Sequence, residues 1–400
     1  MARSGLQAQS KRGATLRGDI SASGPRWEQY VLESASGVLE FWASHFEERE
    51  RDVLFIIGKG FDPRMCRGVE VVLSTGGAGK RDVLAIEFDE GMMSPSRTHD
   101  PLVAKNWERL EKACAGRATL LTKSIQIRSD EGRRIGSRQA AGILSSTADI
   151  SRYSDVVIDI SALPRGIYVP LIAKALYLLD SERTDERSNS NLHVLVCEDP
   201  ALDRSIRDEG IEETASYVHG FSGGLEMEAT AGQPKIWIPV LGEGQKVQLG
   251  HIYDLILPDE ICPVLPSPSV DPRRADDLVL EYRELLFDRL RVEARNLIYA
   301  SENNPFEVYR QIRRTILHYR EALRPLGGSK AVISALSSKL LSIGVLLVAY
   351  ELKQAGIDVA IAHVESQGYV MAAPPDAQSS EAAGRGELFS LWLSGECYAN

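Results

Sequence analysis

The stretch Val156-Val157-Ile158-Asp159-Ile160-Ser161-Ala162-Leu163-Pro164-Arg165-Gly166 decides the fold. It opens on a β-branched apolar run, which reads as a buried parallel strand. Asp159 and Ser161 fall where that strand ends, and Pro164 suits the first turn of a helix. The helix follows through Ile167, Tyr168, Val169, Ala173, Leu176 and Leu179. A polar elbow between a buried strand and a helix N-terminus is where open α/β sheets bind their ligands. Such a helix end favours anions, and Arg165 adds a planar donor fork that matches phosphate.

The elbow has an echo. Ala331-Val332-Ile333-Ser334-Ala335-Leu336-Ser337-Ser338-Lys339-Leu340 repeats Ile-Ser-Ala-Leu and leads into an apolar helix from Leu341 to Leu352. The elements around the two elbows repeat as well. Before the first lies a strand, Val53 to Ile57, that runs into Gly58-Lys59-Gly60-Phe61-Asp62-Pro63-Arg64. A second strand, Asp82 to Phe88, ends in Asp89-Glu90-Gly91. Helices at 102–113 and 134–146 flank a third strand at 120–127, and a strand at 192–197 follows the elbow. Before the second elbow, Lys235 to Leu241 runs into Gly242-Glu243-Gly244, and a strand at 295–300 ends in Ser301-Glu302-Asn303-Asn304-Pro305. A strand at 358–364 closes this half. Strands alternating with helices at this spacing indicate parallel, doubly wound sheets.

The expected fold class is therefore α/β: two fused Rossmann-like lobes with parallel sheets, related by a pseudo-twofold duplication. Residues 1–50 read as a disordered arm plus an amphipathic helix, 51–198 as the first lobe, and 199–233 as a linker. Residues 234–371 read as the second lobe, in which the Pro-rich span 258–272 is an insertion or inter-domain loop. Residues 372–400 read as a tail.

A chain of 400 residues that is 44% hydrophobic can bury two ordinary cores. A net charge of −10 argues against coating long nucleic acid or a membrane surface, and leaves room for a local basic pocket. Five cysteines without a C-x-x-C pair suggest neither a zinc site nor a disulfide framework, which fits a reducing cytoplasm. The N-terminus lacks the order of a signal peptide, and the most apolar run, Ile343 to Tyr350, is too short to span a bilayer.

The chemistry-bearing residues cluster at strand ends. Lys59, Arg64, Asp159, Ser161, Arg165, Ser337, Ser338 and Lys339 are the candidate ligand-binding set. Asp159 and Glu87 are candidate general bases. Each has a structural alternative: Asp159 and Ser161 are ordinary helix caps, and Lys59 and Arg64 are compatible with a solvated turn. Gly76-Gly77-Ala78-Gly79-Lys80 precedes a strand rather than following one, which is the wrong order for a P-loop, so it reads as a turn. Neither G-x-S-x-G nor H-E-x-x-H occurs, no metal set is indicated, and no cofactor is implied. His193 and His363 fall inside strands and read as core residues. Glu87, Asp89 and Glu90 suit a metal or ribose hydroxyls, but a nuclease would want a lysine at position 89.

The strand-Asp-x-Ser-x-x-Pro-Arg-helix unit resembles the elbow of CRISPR-associated Rossmann-fold (CARF) domains. There a strand ends in an Asn/Asp-x-Ser/Thr-Gly-Gly-Thr-Lys type of turn. Asp159, Ser161 and Arg165 take those places in the first copy, and Ser334, Ser337, Ser338 and Lys339 in the second. Ala162-Leu163-Pro164 stands where that turn carries its glycine pair. A single chain with two such lobes is similar to the SAVED-type sensors of bacterial antiphage systems. The resemblance implies a nucleotide-like ligand held between the lobes and an effector or partner protein for output. An enzyme acting on a nucleotide or phosphosugar, and a protein-interaction scaffold, are the alternative functions.

Overall fold

The computed structural model describes residues 24–92, 94–182, 190–225, 232–371 and 386–398. The disordered arm expected before residue 24 and residues 372–385 of the expected tail lie outside them. The first half runs β1 (Val31–Ser34), α1 (Ser36–Glu47), β2 (Val53–Lys59), α2 (Arg67–Ser74), β3 (Arg81–Asp89), α3 (Asp100–Cys114), β4 (Thr119–Gln126), α4 (Gly136–Ala141), β5 (Asp155–Asp159), α5 (Arg165–Glu182) and β6 (Asn191–Glu198). Then come α6 (Pro200–Ser205), β7 (Ile206–Ile211) and β8 (Ser216–Ser222). The second half runs β9 (Lys235–Val240), α7 (Lys246–Ile256), β10 (Glu260–Ile261), β11 (Val264–Pro266), α8 (Arg274–Arg283), β12 (Ile298–Ala300), α9 (Pro305–Ala322), β13 (Lys330–Ala335), α10 (Lys339–Gln354) and β14 (Val359–His363). It closes on β15 (Ser366–Met371) and β16 (Glu387–Ser394).

The first sheet is ordered β1-β16-β6-β5-β2-β3-β4 and the second β12-β11-β9-β13-β14-β8, with β10 beside β9. Within each, the strands of its own half are parallel, five in the first and five in the second when β10 and β11, which follow each other along β9, are counted as one. Their order is third–second–first–fourth–fifth in both lobes. Each sheet then continues beyond its fifth strand with an antiparallel one, β16 on β6 and β8 on β14. In each half the elbow joins the fourth strand to the helix that leads to the fifth.

Period-two alternation decides which side chain faces which layer. Leu54, Ile56, Val156 and Ile158 point to one core cluster, while Phe55, Ile57 and Val157 point to another built on α1, α2 and α3. In the second sheet Ile236, Ile238 and Ile333 face the first of these clusters, and Trp237 and Val332 face a third built on α7 and α8. The shared cluster contains α5, α9 and α10, so one continuous apolar core joins the lobes. On the far side of that seam Trp27, fully buried, donates from Nε1 to Leu393 O at 2.9 Å and meets the Tyr309 ring edge-on. Among the described residues no helix is long and apolar enough to cross a membrane.

Several sequence expectations need correcting. The aromatic helix expected over 25–51 is a strand followed by the shorter α1: Trp27 and Tyr30 are claimed by the core between the lobes instead of a helix face. The helix expected over 134–146 is cut to α4, six residues long. The span 199–233, expected to be a linker, supplies α6, β7 and β8, and β8 joins the second sheet. The Pro-rich span is not a plain loop, because Val264–Pro266 is the second parallel strand of its lobe. The strand near 295–300 therefore matches β4, not β3. The apolar segment near 388–393 is β16, which covers the β6 edge, rather than a turn.

Candidate functional site

The polar residues of the first elbow turn inward. Asp159 is 1% exposed and Ser161 fully buried. Asp159 Oδ1 accepts from Ser161 N at 2.9 Å, and Ser161 Oγ accepts from Cys197 N at 2.9 Å, so the pair ties the elbow to β6. Asp159 Oδ2 has no partner, and burial pushes this carboxyl up to about 6. In the second elbow Ser334 Oγ accepts from Trp237 Nε1 at 3.0 Å. Ser161 and Ser334 are thus structural.

The glycines after the first strand of each lobe have the same cause. A Cβ on Gly58 would lie 2.9 Å from Ala162 O, and one on Gly242 would lie 2.3 Å from Leu336 O. In each lobe the first strand's turn presses against the elbow carbonyl, which is possible only without a side chain. The close approach at these glycines is made by the protein's own backbone.

Between the lobes the contacts are reciprocal. Arg165 Nη2 donates to Ser337 O at 3.1 Å, and Lys339 Nζ donates to Ser161 O. One turn further along the helices, the Tyr168 hydroxyl meets Ser342 Oγ. Ser338 Oγ caps α10 by accepting from Leu341 N. Burial, then the charge of Arg64, lowers the Lys339 pKa. Each elbow's cation therefore binds a carbonyl of the other elbow.

The C-terminal edges of both parallel sheets open onto one cleft of about 1920 Å³. Lys59, Arg64, Arg165, Ser337, Ser338 and Lys339 all line it, as does Glu87, whereas Asp159 and Ser161 lie outside the lining. These side chains share one cleft, in which Arg64 and Lys59 are both engaged by carboxylates. Arg64 is 3% exposed, pairs with Asp62 at 2.7 Å and reaches Asp203 at 2.8 Å. Lys59 pairs with Glu87 at 2.8 Å and lies over the Trp107 ring. Carboxylates outnumber cations along the cleft, and Phe61, Phe88 and Trp107 give it an aromatic wall on the first-lobe side.

A second polar cluster lies at the opposite edge of the first sheet. Asp155 Oδ1 accepts from His45 Nε2 at 2.9 Å, His193 Nε2 at 3.1 Å and Asn191 Nδ2 at 2.9 Å. The ligand-type atoms of His45, Asp155 and His193 lie within 4.8 Å of one another. Arg51, 3.6 Å from the other Asp155 oxygen, already supplies the positive charge a metal would bring. Burial opposes ionisation of Asp155, but the hydrogen bonds from His193 and His45 win and hold its pKa well below the usual range. This group is a buried ion-pair hub.

Sequence reasoning missed Glu198 and Glu365. Glu198 Oε1 accepts from Leu340 N at 2.7 Å, and a Cβ on Gly166 would lie 2.5 Å from Glu365 Oε1. Both carboxylates belong to the cleft. The signal was present: Glu198 is the last residue of the fifth strand of its lobe, and Glu365 is the first acid after the fifth strand of the other. Gln248, 6% exposed and also in the lining, carries no motif and was not legible.

No protein-family model and no curated protein matches the sequence. Among solved structures the chain is similar to N,N'-diacetylchitobiose deacetylase from Pyrococcus horikoshii at 15% identity and a TM-score of 0.24, over 40% of this chain and 64% of that one. It is also similar to teicoplanin deacetylase Orf2 at 14% identity and a TM-score of 0.25, over 42% of this chain and 78% of that one. Superposition this loose carries no inference about activity.

Proposed function

We propose that this chain is a sensor whose inter-lobe cleft binds a small nucleotide-like ligand and whose output is a change in how the lobes hold each other. The observation that supports this most is the reciprocal elbow contact, Arg165 to Ser337 O and Lys339 to Ser161 O, at the floor of a cleft shared by both sheets. A ligand seated there touches the groups that join the lobes, so its binding energy can shift their arrangement. The aromatic wall suits a base, and the elbow cations suit phosphate. The acid-rich lining favours a short ligand over long duplex nucleic acid. Antiphage defence, with an effector as partner protein, is the setting that the CARF and SAVED resemblance implies.

The second reading, an enzyme acting on a nucleotide or phosphosugar, draws on the Asp159 carboxyl, whose pKa of about 6 suits a general base. Asp159 lies behind the elbow and outside the cleft lining, which favours binding over turnover. Calorimetric titration with mononucleotides, linear and cyclic oligonucleotides and duplex DNA separates the readings. The sensor reading expects saturable binding of a short nucleotide without turnover. Product formation that Asp159→Asn abolishes while binding survives establishes the enzyme, and tight duplex binding with a steep salt slope contradicts both.

A further inference from the structure

The two carboxylates that sequence reasoning missed occupy corresponding places. Glu198 ends β6 of the first lobe and accepts from the first turn of α10 in the second. Glu365 follows β14 of the second lobe and rests against Gly166, in the first turn of α5 in the first. A helix N-terminus with unpaired N–H groups is a position for an anion; Glu198 accepts from the α10 end, and Glu365 lies beside the α5 end at Gly166. The cations beside them, Lys339 and Arg165, belong to the same first turns.

The cleft also holds polar groups that the present arrangement leaves without partners. Gln248, 6% exposed, has an unpartnered Oε1, and Arg165 Nε and Ser337 Oγ are buried without a hydrogen bond. All three residues line the cleft. A buried polar atom without a partner is costly, so these three atoms are places in the cleft where a ligand's hydrogen bonds would be gained.

Resting on the sensor reading, we propose that Glu198 and Glu365 stand in for anionic groups of the ligand at the two helix ends, and that a phosphate-type anion enters by displacing them. Displacement breaks two contacts between the lobes, Glu198 with Leu340 N and Glu365 with Gly166, and replaces them with contacts to the ligand. The exchange at Glu198 is the easier one. Its carboxylate is buried, has the Leu340 bond, and feels the acid Asp203 as well as the charges of Arg64 and Lys339 without a direct ion pair, whereas Glu365 pairs directly with Arg134 at 3.2 Å and lies 3.5 Å from His363.

The test is titration of the full chain with inorganic phosphate, followed by calorimetry. Glu198→Gln keeps an oxygen for Leu340 N but removes the competing charge, and is expected to tighten phosphate binding roughly tenfold. Glu365→Gln is expected to tighten it less. Glu198→Asp, which withdraws the carboxylate by one methylene, is expected to move the affinity the same way and keeps the test open if Glu198→Gln fails to fold. Unchanged or weaker phosphate binding in folded Glu198→Gln or Glu198→Asp overturns the proposal. Tighter phosphate binding in the variants with no nucleotide binding by any form leaves it standing and defeats the nucleotide reading. Nucleotide binding by the native chain with no gain in the variants does the reverse.

Discussion

The two lobes share an order of parallel strands but differ in the strand that leads to each elbow. In the first, the strand that leads to the elbow begins at Asp155 and ends at Asp159, both buried carboxylates. In the second, Val332 stands where Asp159 does when the Ile-Ser-Ala-Leu units are aligned, and the one buried charge on the strand is Lys330, whose Nζ reaches Leu225 O at 2.8 Å. The same architecture is thus reached with a charged hub in one lobe and a nearly apolar strand in the other. Connectivity and apolar alternation set the order of strands, while each lobe carries its own buried polar groups on that frame.

This contrast is most easily broken at Asp155. Asp155→Ala removes the carboxylate that accepts from His45, His193 and Asn191 and that faces the buried Arg51, and is expected to cost about 3–5 kcal/mol in urea unfolding. Lys330→Met removes one bond in the second lobe and is expected to cost about 1 kcal/mol. Equal costs would mean that the lobes do not differ as described.

Asp159 gives the next effect, and it depends on pH. Its pKa in the folded chain, about 6, lies above the ordinary aspartate value of 3.8. The protonated form is therefore favoured by folding, and its contribution is full below about pH 4 and lost as pH rises through about 6. At pH 7 the ionised group costs about 3 kcal/mol at about 1.4 kcal/mol per unit. Asp159→Asn is expected to be more stable than the native chain at pH 7, with the advantage vanishing toward pH 4. A pH-independent difference between the two would contradict the burial argument.

The elbow glycines give a smaller and more graded comparison. Gly242→Ala places a methyl 2.3 Å from Leu336 O, and Gly58→Ala places one 2.9 Å from Ala162 O. Both are expected to destabilise by about 1–3 kcal/mol, with Gly242→Ala the larger. Thermal melting of the two variants checks the ranking, and a larger loss at Gly58 would reverse it.

Much of the fold was legible because its elements are long apolar runs closed by glycine or acid. The elbows, their echo and the parallel core strands followed from the runs at 53–57, 82–88, 156–158 and 331–333. What was not legible depends on partners far away in sequence. Val264–Pro266 is too short and proline-rich to read as a strand, and it becomes one through β9 and β12. Trp27 looks like a helix-face aromatic but is fixed by Leu393 and Tyr309. At the site, residue type found the cations Arg165 and Lys339 and brought them to one cleft. It could not show that Asp159 and Ser161 point away from the cleft, or that Arg64 is neutralised by Asp62 and Asp203.

The most direct measurement is a calorimetric titration of the native chain and of Arg165→Ala and Lys339→Ala with a cyclic dinucleotide and with the tightest short nucleotide from the screen. The account predicts saturable binding by the native chain, weakened by about 1–3 kcal/mol in Arg165→Ala and by less in Lys339→Ala, because the fork can grip phosphate at two points. Native affinity retained in both variants, or no binding of any short nucleotide, would contradict the claim that the inter-lobe cleft is a nucleotide site.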